Sequence, residues 1–172
     1  KHTITLLSMR EPMVIHSLTL SNAADKLSYA QVKSENDAAG VKNTSGKLIT
    51  IEGENPTRTS SQMLYPIQDQ SSPSVSPSSA KMLLNNTIGG NSWRLVGQWI
   101  EWDFDVEESG YYNISLYDSQ NFVRGIYVSR KITIDGEVPF KELEAYGFKY
   151  DQSWREDVLQ DAGGTPYSFY LE

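Results

Sequence analysis

From Gln98 to Val106 the chain alternates with a period of two: Ile100, Trp102, Phe104 and Val106 share one face, and Trp99, Glu101, Asp103 and Asp105 share the other. Successive side chains of a strand point to opposite faces, so this is the pattern of a strand with one side on a core and one in water. A helix cannot use it, because a 3.6-residue period would scatter both sets around its axis. The alternation resumes after the turn Glu107-Glu108-Ser109-Gly110, where Tyr112, Ile114 and Leu116 alternate with Tyr111, Asn113, Ser115 and Tyr117. Trp102, Phe104 and Tyr112 are thereby assigned to the core.

The same period marks other segments. Leu48 to Glu54 reads as a strand ending on acidic residues, Ile126 to Ile134 as a strand closed by the hairpin signal Asp135-Gly136, and Tyr167, Phe169 and Leu171 share one phase near the end. Near the beginning, Ile4 and Leu6 alternate with Thr3 and Thr5, and after a turn at Arg10-Glu11-Pro12 a second strand runs from Met13 to Leu20. Two stretches differ. Residues 21–46 are a polar connector, in which the loose spacing of Leu27, Ala30 and Ser34 is compatible with a short helix over Ala23 to Asp37 that Gly40 would end. Residues 56–91 carry Pro66, Pro73, Pro77 and a serine-rich run at 71–79, which excludes a helix. Loops that long are usually functional or mobile. A chain of 172 residues is about one domain. Many short strands with turn signals and no sustained helical period predict an all-β fold, an antiparallel β-sandwich of jelly-roll type.

Composition narrows the chemistry. Lys plus Arg number 15 against 22 for Asp plus Glu, a net charge of −7, which argues against a nucleic-acid partner because such binding rests on cations that displace counterions. The absence of cysteine excludes disulfides, zinc–thiolate centres and thiol nucleophiles. Of the two histidines, His2 and His16, the second shares the phase of Val14, Leu18 and Leu20 and reads as a core-edge imidazole. No segment approaches the ~20 apolar residues of a membrane helix, so no membrane insertion is expected. What stands out is an aromatic fraction of 11%, with 10 Tyr and 4 Trp, beside few reactive groups.

The segments Gly97–Trp102, Glu108–Leu116 and Ile132–Glu137 resemble the galactose-binding-like β-sandwiches of carbohydrate-binding module families 6 and 35, which carry a Trp-bearing strand, a Gly-Tyr-Tyr hairpin and a strand ending in an Asp-Gly turn. With Leu64-Tyr65-Pro66, Asn86–Gly90, Gln120–Gly125 and Pro166–Leu171, the likeness spans residues 47–172 and is similar to modules attached to bacterial extracellular solute-binding proteins of sugar importers. The resemblance implies a non-catalytic module, extracellular or at the cell surface, that binds a polysaccharide or oligosaccharide beside the neighbouring domains of a larger parent protein. In such modules the strands that resemble residues 1–20 come last, whereas here they come first. Residues 1–20 therefore either complete this sandwich, as a circularly permuted jelly roll, or end a preceding module. Closure is the expectation, because an open edge beside Tyr167 to Leu171 would invite aggregation.

Sugar binding needs flat aromatic faces and a few fixed polar groups. Trp99 lies in the phase of Glu101 and Asp103, and Trp93 and Tyr65 lie in loops; each is a candidate platform with a packing role as the alternative. Asn121 and Arg124 are the polar candidates of the 118–125 loop, which the resemblance places at the ligand rim. Arg130 occupies the apolar phase between Val128 and Ile132, so it must reach an edge, pair with a carboxylate or line a concave ligand face. The resemblance also implies a structural calcium on a Glu-x-Glu pair, here Glu52 and Glu54, although the matching late-strand position holds His16, a poor ligand for a hard cation. A glycosidase would need two carboxylates about 5–10 Å apart; Glu101, Asp103 and Asp105 share one face of one strand and serve equally as its wet side. A structural or interdomain β-sandwich whose aromatics make a protein contact is the alternative of a different class, and a glycosidase is the other.

Overall fold

The computed structural model describes residues 2–5, 14–20, 25–79, 81–122 and 124–172. The connector contains a helix, α1 (Tyr29–Ala38), whose limits are set locally. Ser28 and Gln31 form a reciprocal capping box, with the Ser28 amide 2.9 Å from Gln31 Oε1. At the other end Gly40 has φ +84°, and the amides of Gly40 and Val41 return to the carbonyls of Asp37 and Asn36, a Schellman closure that an L residue with a Cβ would strain.

The remaining regular structure is antiparallel β. In chain order the strands are β1 (Arg58–Thr59), β2 (Pro66–Ile67), β3 (Thr87–Ile88), β4 (Ile100–Glu101), β5 (Gly110–Tyr112), β6 (Ser115–Asp118), β7 (Val128–Arg130), β8 (Tyr146–Phe148), β9 (Arg155–Val158) and β10 (Phe169–Leu171). They pair as β1 with β4, β2 with β3, β5 with β10, β6 with β9, and β7 with β8. The fold is thus β-rich with little helix, built from small two-stranded ladders. Single backbone bonds link them: Leu159 N–H to the Ile114 carbonyl at 2.9 Å, Tyr167 N–H to Leu159 at 2.8 Å and Ile132 N–H to Leu143 at 3.0 Å. β5 has a second neighbour, since Tyr111 N–H donates to the Lys42 carbonyl at 2.9 Å and Tyr111 bridges Asn43 in parallel. Asp135 and Gly136 turn with φ +53° and +80°, and Ile134 and Glu137 exchange both backbone hydrogen bonds, as a two-residue hairpin requires.

The core comprises Phe140, Leu143, Phe148, Leu159, Tyr167, Phe169 and Leu171. Burying each such side chain contributes about 1.5–3 kcal/mol before chain entropy is subtracted. Tyr29 of α1 joins them, its ring 4.6 Å from that of Tyr167 and 5.0 Å from that of Phe140. Its hydroxyl accepts from Ser168 N–H at 3.0 Å and its amide donates to Glu142 at 2.9 Å. Helix α1 therefore packs on the core through Tyr29 and Val32.

Several expectations need correction. Phe104, assigned to the core, is 43% exposed, because ladder pairing in this strand ends at Glu101 and the later alternation has no sheet to face. Trp102 is half-buried, with its indole N–H on the Gly53 carbonyl at 3.1 Å, and Tyr112 is half-buried against the core. Tyr111, placed on the wet face, is only 7% exposed because α1 covers that face: its hydroxyl donates to Asp37 at 2.8 Å and the Lys33 ammonium sits 4.4 Å above its ring. Residues 48–52 form no ladder, and Leu48, Ile49 and Ile51 are exposed. Residues 2–5 and 14–20 likewise carry no ladder and are exposed, His16 among them, so its placement as a core-edge imidazole does not hold. Lys1, Leu6 to Met13 with the turn at Arg10–Pro12, and residues 21–24 of the connector lie outside the described residues.

Candidate functional site

The 118–127 loop is shaped from within by Gln120. This side chain is buried; its Nε2 donates to the Ile126 carbonyl at 2.9 Å and its Oε1 accepts from Phe122 N–H at 3.1 Å, which closes the loop on itself. The Asp151 amide donates to the Gln120 carbonyl at 3.0 Å and so docks the loop on the segment that follows β8. Arg155 braces that segment by donating to the Lys149 carbonyl at 3.2 Å. Tyr127 lies over Gly147 of β8, where an added Cβ would stand 3.1 Å from the Tyr127 ring.

Between these two segments opens a cleft of about 370 Å³ lined by Arg124, Gly125, Ile126, Tyr127, Lys149 and Tyr150. Tyr127 is 58% exposed and Tyr150 half-buried, so the cleft presents aromatic surface. Arg124 and Lys149 are exposed, no carboxylate lines the cleft, and neither cation makes an ion pair among the described residues. A cleft lined by two tyrosines and two exposed cations can hold a polar ligand.

Of the residues singled out from the sequence, Arg124 lines this cleft and Asn121 is exposed on the same loop. Trp93 and Arg130 meet each other elsewhere. The guanidinium lies 4.2 Å over the indole, donates to the Trp93 carbonyl at 3.2 Å and to its own neighbour's carbonyl, Ser129, at 2.9 Å. The Trp93 indole N–H is spent on the Gln98 carbonyl at 3.3 Å. Burial pushes the Arg130 pKa down from its ordinary value. This pair is an internal anchor for the 93–98 loop, so Arg130 satisfies its charge by stacking and carbonyls, and of the three alternatives the carboxylate partner is absent among the described residues. Trp99, 44% exposed, and Tyr65, 57% exposed, stand apart from the cleft.

Glu52 is exposed and Glu54 half-buried, with Glu54 Oε2 buried and lacking a hydrogen-bond partner. Calcium takes six to eight oxygens. No group of three or more His, Asp or Glu side chains converges among the described residues, so the fit is partial: Glu54 offers the buried oxygen, and most of a shell would have to be backbone and water. Glu101 and Asp103 are both engaged by Arg58, at 2.7 and 3.1 Å.

Two features had no counterpart in the sequence reading. Tyr117 and Trp154 stack at 5.8 Å, and the serine-rich loop fastens over them through Ser71, which accepts the Trp154 indole N–H at 3.1 Å, and Ser74, 2.6 Å from the Tyr117 hydroxyl. That loop also walls a second cleft of about 440 Å³, braced by the buried Asn86, whose amide donates to the carbonyls of Asp69 and Pro77. The other feature is Asp118, opposite Arg155 in the β6–β9 register. Arg155 is already bound to Asp157 at 2.9 Å and Asp151 at 3.4 Å, and Asp118 Oδ1 is buried with no partner. Burial first, then the charges of Asp157 and Asp151, push its pKa up to about 6 against the pull of Arg155. Asp118 lines neither cleft.

Tyr127 was legible only as a strand residue, and Lys149 and Tyr150 had no reading from the sequence, because their convergence depends on the β7–β8 register. Compared with protein-family models, curated proteins and solved structures, the chain has no match.

Proposed function

We propose that this chain is a non-catalytic carbohydrate-binding module, of the galactose-binding-like jelly-roll type that the sequence resembles, working outside the cell within a larger parent protein. The glycan is held in the cleft beside the 118–127 loop. The observation that carries this is the cleft itself, which Tyr127 and Tyr150 line together with Arg124 and Lys149, two cations without an ion pair among the described residues. Pyranose C–H faces pack on such rings while hydroxyls take the donors. Binding is weak, because a shallow site buries little area against the cost of ordering a ligand. The engagement of Glu101 and Asp103 by Arg58 supports a role without hydrolysis.

A second reading has its own support. Val14, Leu20, Leu48 and Val96 are large apolar side chains that are almost fully exposed, which suits a module packed against a neighbouring domain. A glycan array probed with the full chain separates the two. Retention on one class of polysaccharide, lost in Tyr127→Ala at unchanged melting temperature, supports the module; no retention on any glycan overturns it in favour of the structural role.

A further inference from the structure

The inward face of the β6–β9 ladder carries charge. Leu116 packs on the core, and by the alternation of a strand Asp118 shares its side; across the ladder Asp157 stands opposite Leu116 and Arg155 opposite Asp118. Tyr117 and Glu156, the other ionisable groups of this register, lie on the outer face. Asp151, from the segment ahead of β9, completes the group. Three carboxylates thus share one guanidinium. Arg155 is divided among Asp157 at 2.9 Å, Asp151 at 3.4 Å and the Lys149 carbonyl at 3.2 Å, which leaves Asp118 Oδ1 buried without a partner. The contacts of Arg155 also reach one wall of the first cleft. Lys149 and Tyr150 line that wall, and the Asp151 amide ties it to the 118–127 loop through the Gln120 carbonyl, 3.0 Å away.

We propose that the proton on Asp118 is a latch for this cleft: while bound it leaves Arg155 to pin the 149–151 segment against the loop, and when it departs to solvent the bare carboxylate draws Arg155 away and frees the wall. A half-buried charge without a partner is costly, and the nearest cation is the one already shared. Of the contacts of Arg155, those to Asp151 and Lys149 are the longer and are given up first, while Asp157 stays bound. Burial first, and then the charges of Asp157 and Asp151, push the Asp118 pKa up to about 6, so the wall is pinned in mildly acidic surroundings and loose in alkaline ones. The latch goes beyond the glycan-binding reading and does not depend on it.

The test is amide hydrogen exchange of the full chain without ligand at pH 5 and pH 8, each rate corrected for intrinsic base-catalysed exchange. Protection of the Asp151 amide should be about tenfold lower at pH 8, as the loss of one charge-assisted contact allows. The amides of Ile134 and Glu137, bonded across the Asp135-Gly136 hairpin, are the reference and should not change. Asp118→Asn, which keeps the shape of the protonated acid, should hold Asp151 protected at both pH values. Equal protection of Asp151 at the two pH values in the wild type overturns the latch. So does a drop that persists in Asp118→Asn, or one matched at the reference amides, which marks a loss of overall stability. In the wild type alone, the carbon-13 titration of the Asp118 carboxyl must share its midpoint with the loss of Asp151 protection; separate midpoints also overturn it. A blank glycan array, which sinks the proposed ligand, leaves each of these outcomes as it is.

Discussion

Arg130 and Trp93 form a stacked pair, guanidinium carbon 4.2 Å from the ring centroid, in which the cation is answered by π-density and two carbonyls. The tryptophan in turn ties down the 93–98 loop through its indole N–H. Arg130→Ala should cost about 0.5–2 kcal/mol, and Arg130→Lys should recover only part of it, since an ammonium cannot lie flat on the ring while reaching both carbonyls. Denaturant unfolding of both variants, with tryptophan fluorescence as the probe, measures this. An unchanged midpoint for Arg130→Ala would show that the stack contributes nothing.

Asp118 makes stability depend on pH. Its carboxyl titrates near 6 in the folded chain, above the ordinary 3.8 of the unfolded one. Below pH 3.8 it is protonated in both states and costs nothing; through the window up to pH 6 the unfolded chain ionises first, and the penalty is complete above it. Asp118→Asn should therefore melt higher than the wild type at pH 8, by a few degrees on a scale of about 2–4 °C per kcal/mol, and the difference should fade by pH 4. Thermal melts of the two proteins side by side at each pH give the comparison.

Gly110 leaves no room for a side chain. A Cβ there would stand 2.7 Å from the Lys42 carbonyl and 2.9 Å from Thr44 Cγ2, with β10 paired on the opposite edge. Gly110→Ala should lose about 1–3 kcal/mol by forcing the 42–44 segment off β5. A denaturation midpoint lower than wild type, with faster amide exchange at Tyr111, is the expected outcome.

Ser71 and Ser74 hold the serine-rich loop on Tyr117 and Trp154. In Ser71→Ala/Ser74→Ala each lost hydrogen bond should cost about 0.5–1.5 kcal/mol locally. The global melting point should hardly move, because the loop packs on the outside of the β6–β9 ladder. Hydrogen exchange over residues 69–76 should accelerate, and the Trp154 emission should shift to the red as water reaches the ring.

Glu54 Oε2 is the buried oxygen that a divalent cation would engage. If Glu52 and Glu54 hold calcium as the resemblance implies, the ion should raise the melting temperature of the wild type, a chelator should reverse it, and Glu54→Gln should abolish the response. Identical melts with calcium and with chelator would remove the metal from the description.

What the sequence showed well was local chemistry. The Asp135-Gly136 hairpin, the stop at Gly40 and strand character within residues 111–117 and 126–134 depend on neighbours within a few positions, and the structure has strands there at Gly110–Tyr112, Ser115–Asp118 and Val128–Arg130. The phase of Glu101 and Asp103 was also legible, since one arginine reaches both. Burial was harder to see. Phe104 fails as a core residue because no ladder continues past Glu101, and Tyr111 is buried because a helix folds over it, with Asp37, 74 positions earlier, accepting from its hydroxyl. The cleft was half visible: Arg124 could be named from its loop, while Tyr127, Lys149 and Tyr150 come together only through the pairing of β7 with β8 and the docking of Asp151 on Gln120.

Tyr29 decides where this chain can be cut. It belongs to the polar stretch that looks like a tether, yet its ring sits among Phe140 and Tyr167 and its hydroxyl completes the backbone of Ser168. A fragment begun at residue 47, where alternation starts, would open a hole beside the last strand and expose Tyr111 as well. Anyone transplanting this fold onto another protein must carry the helix with it, for the folding unit is longer than the part that looks like sheet.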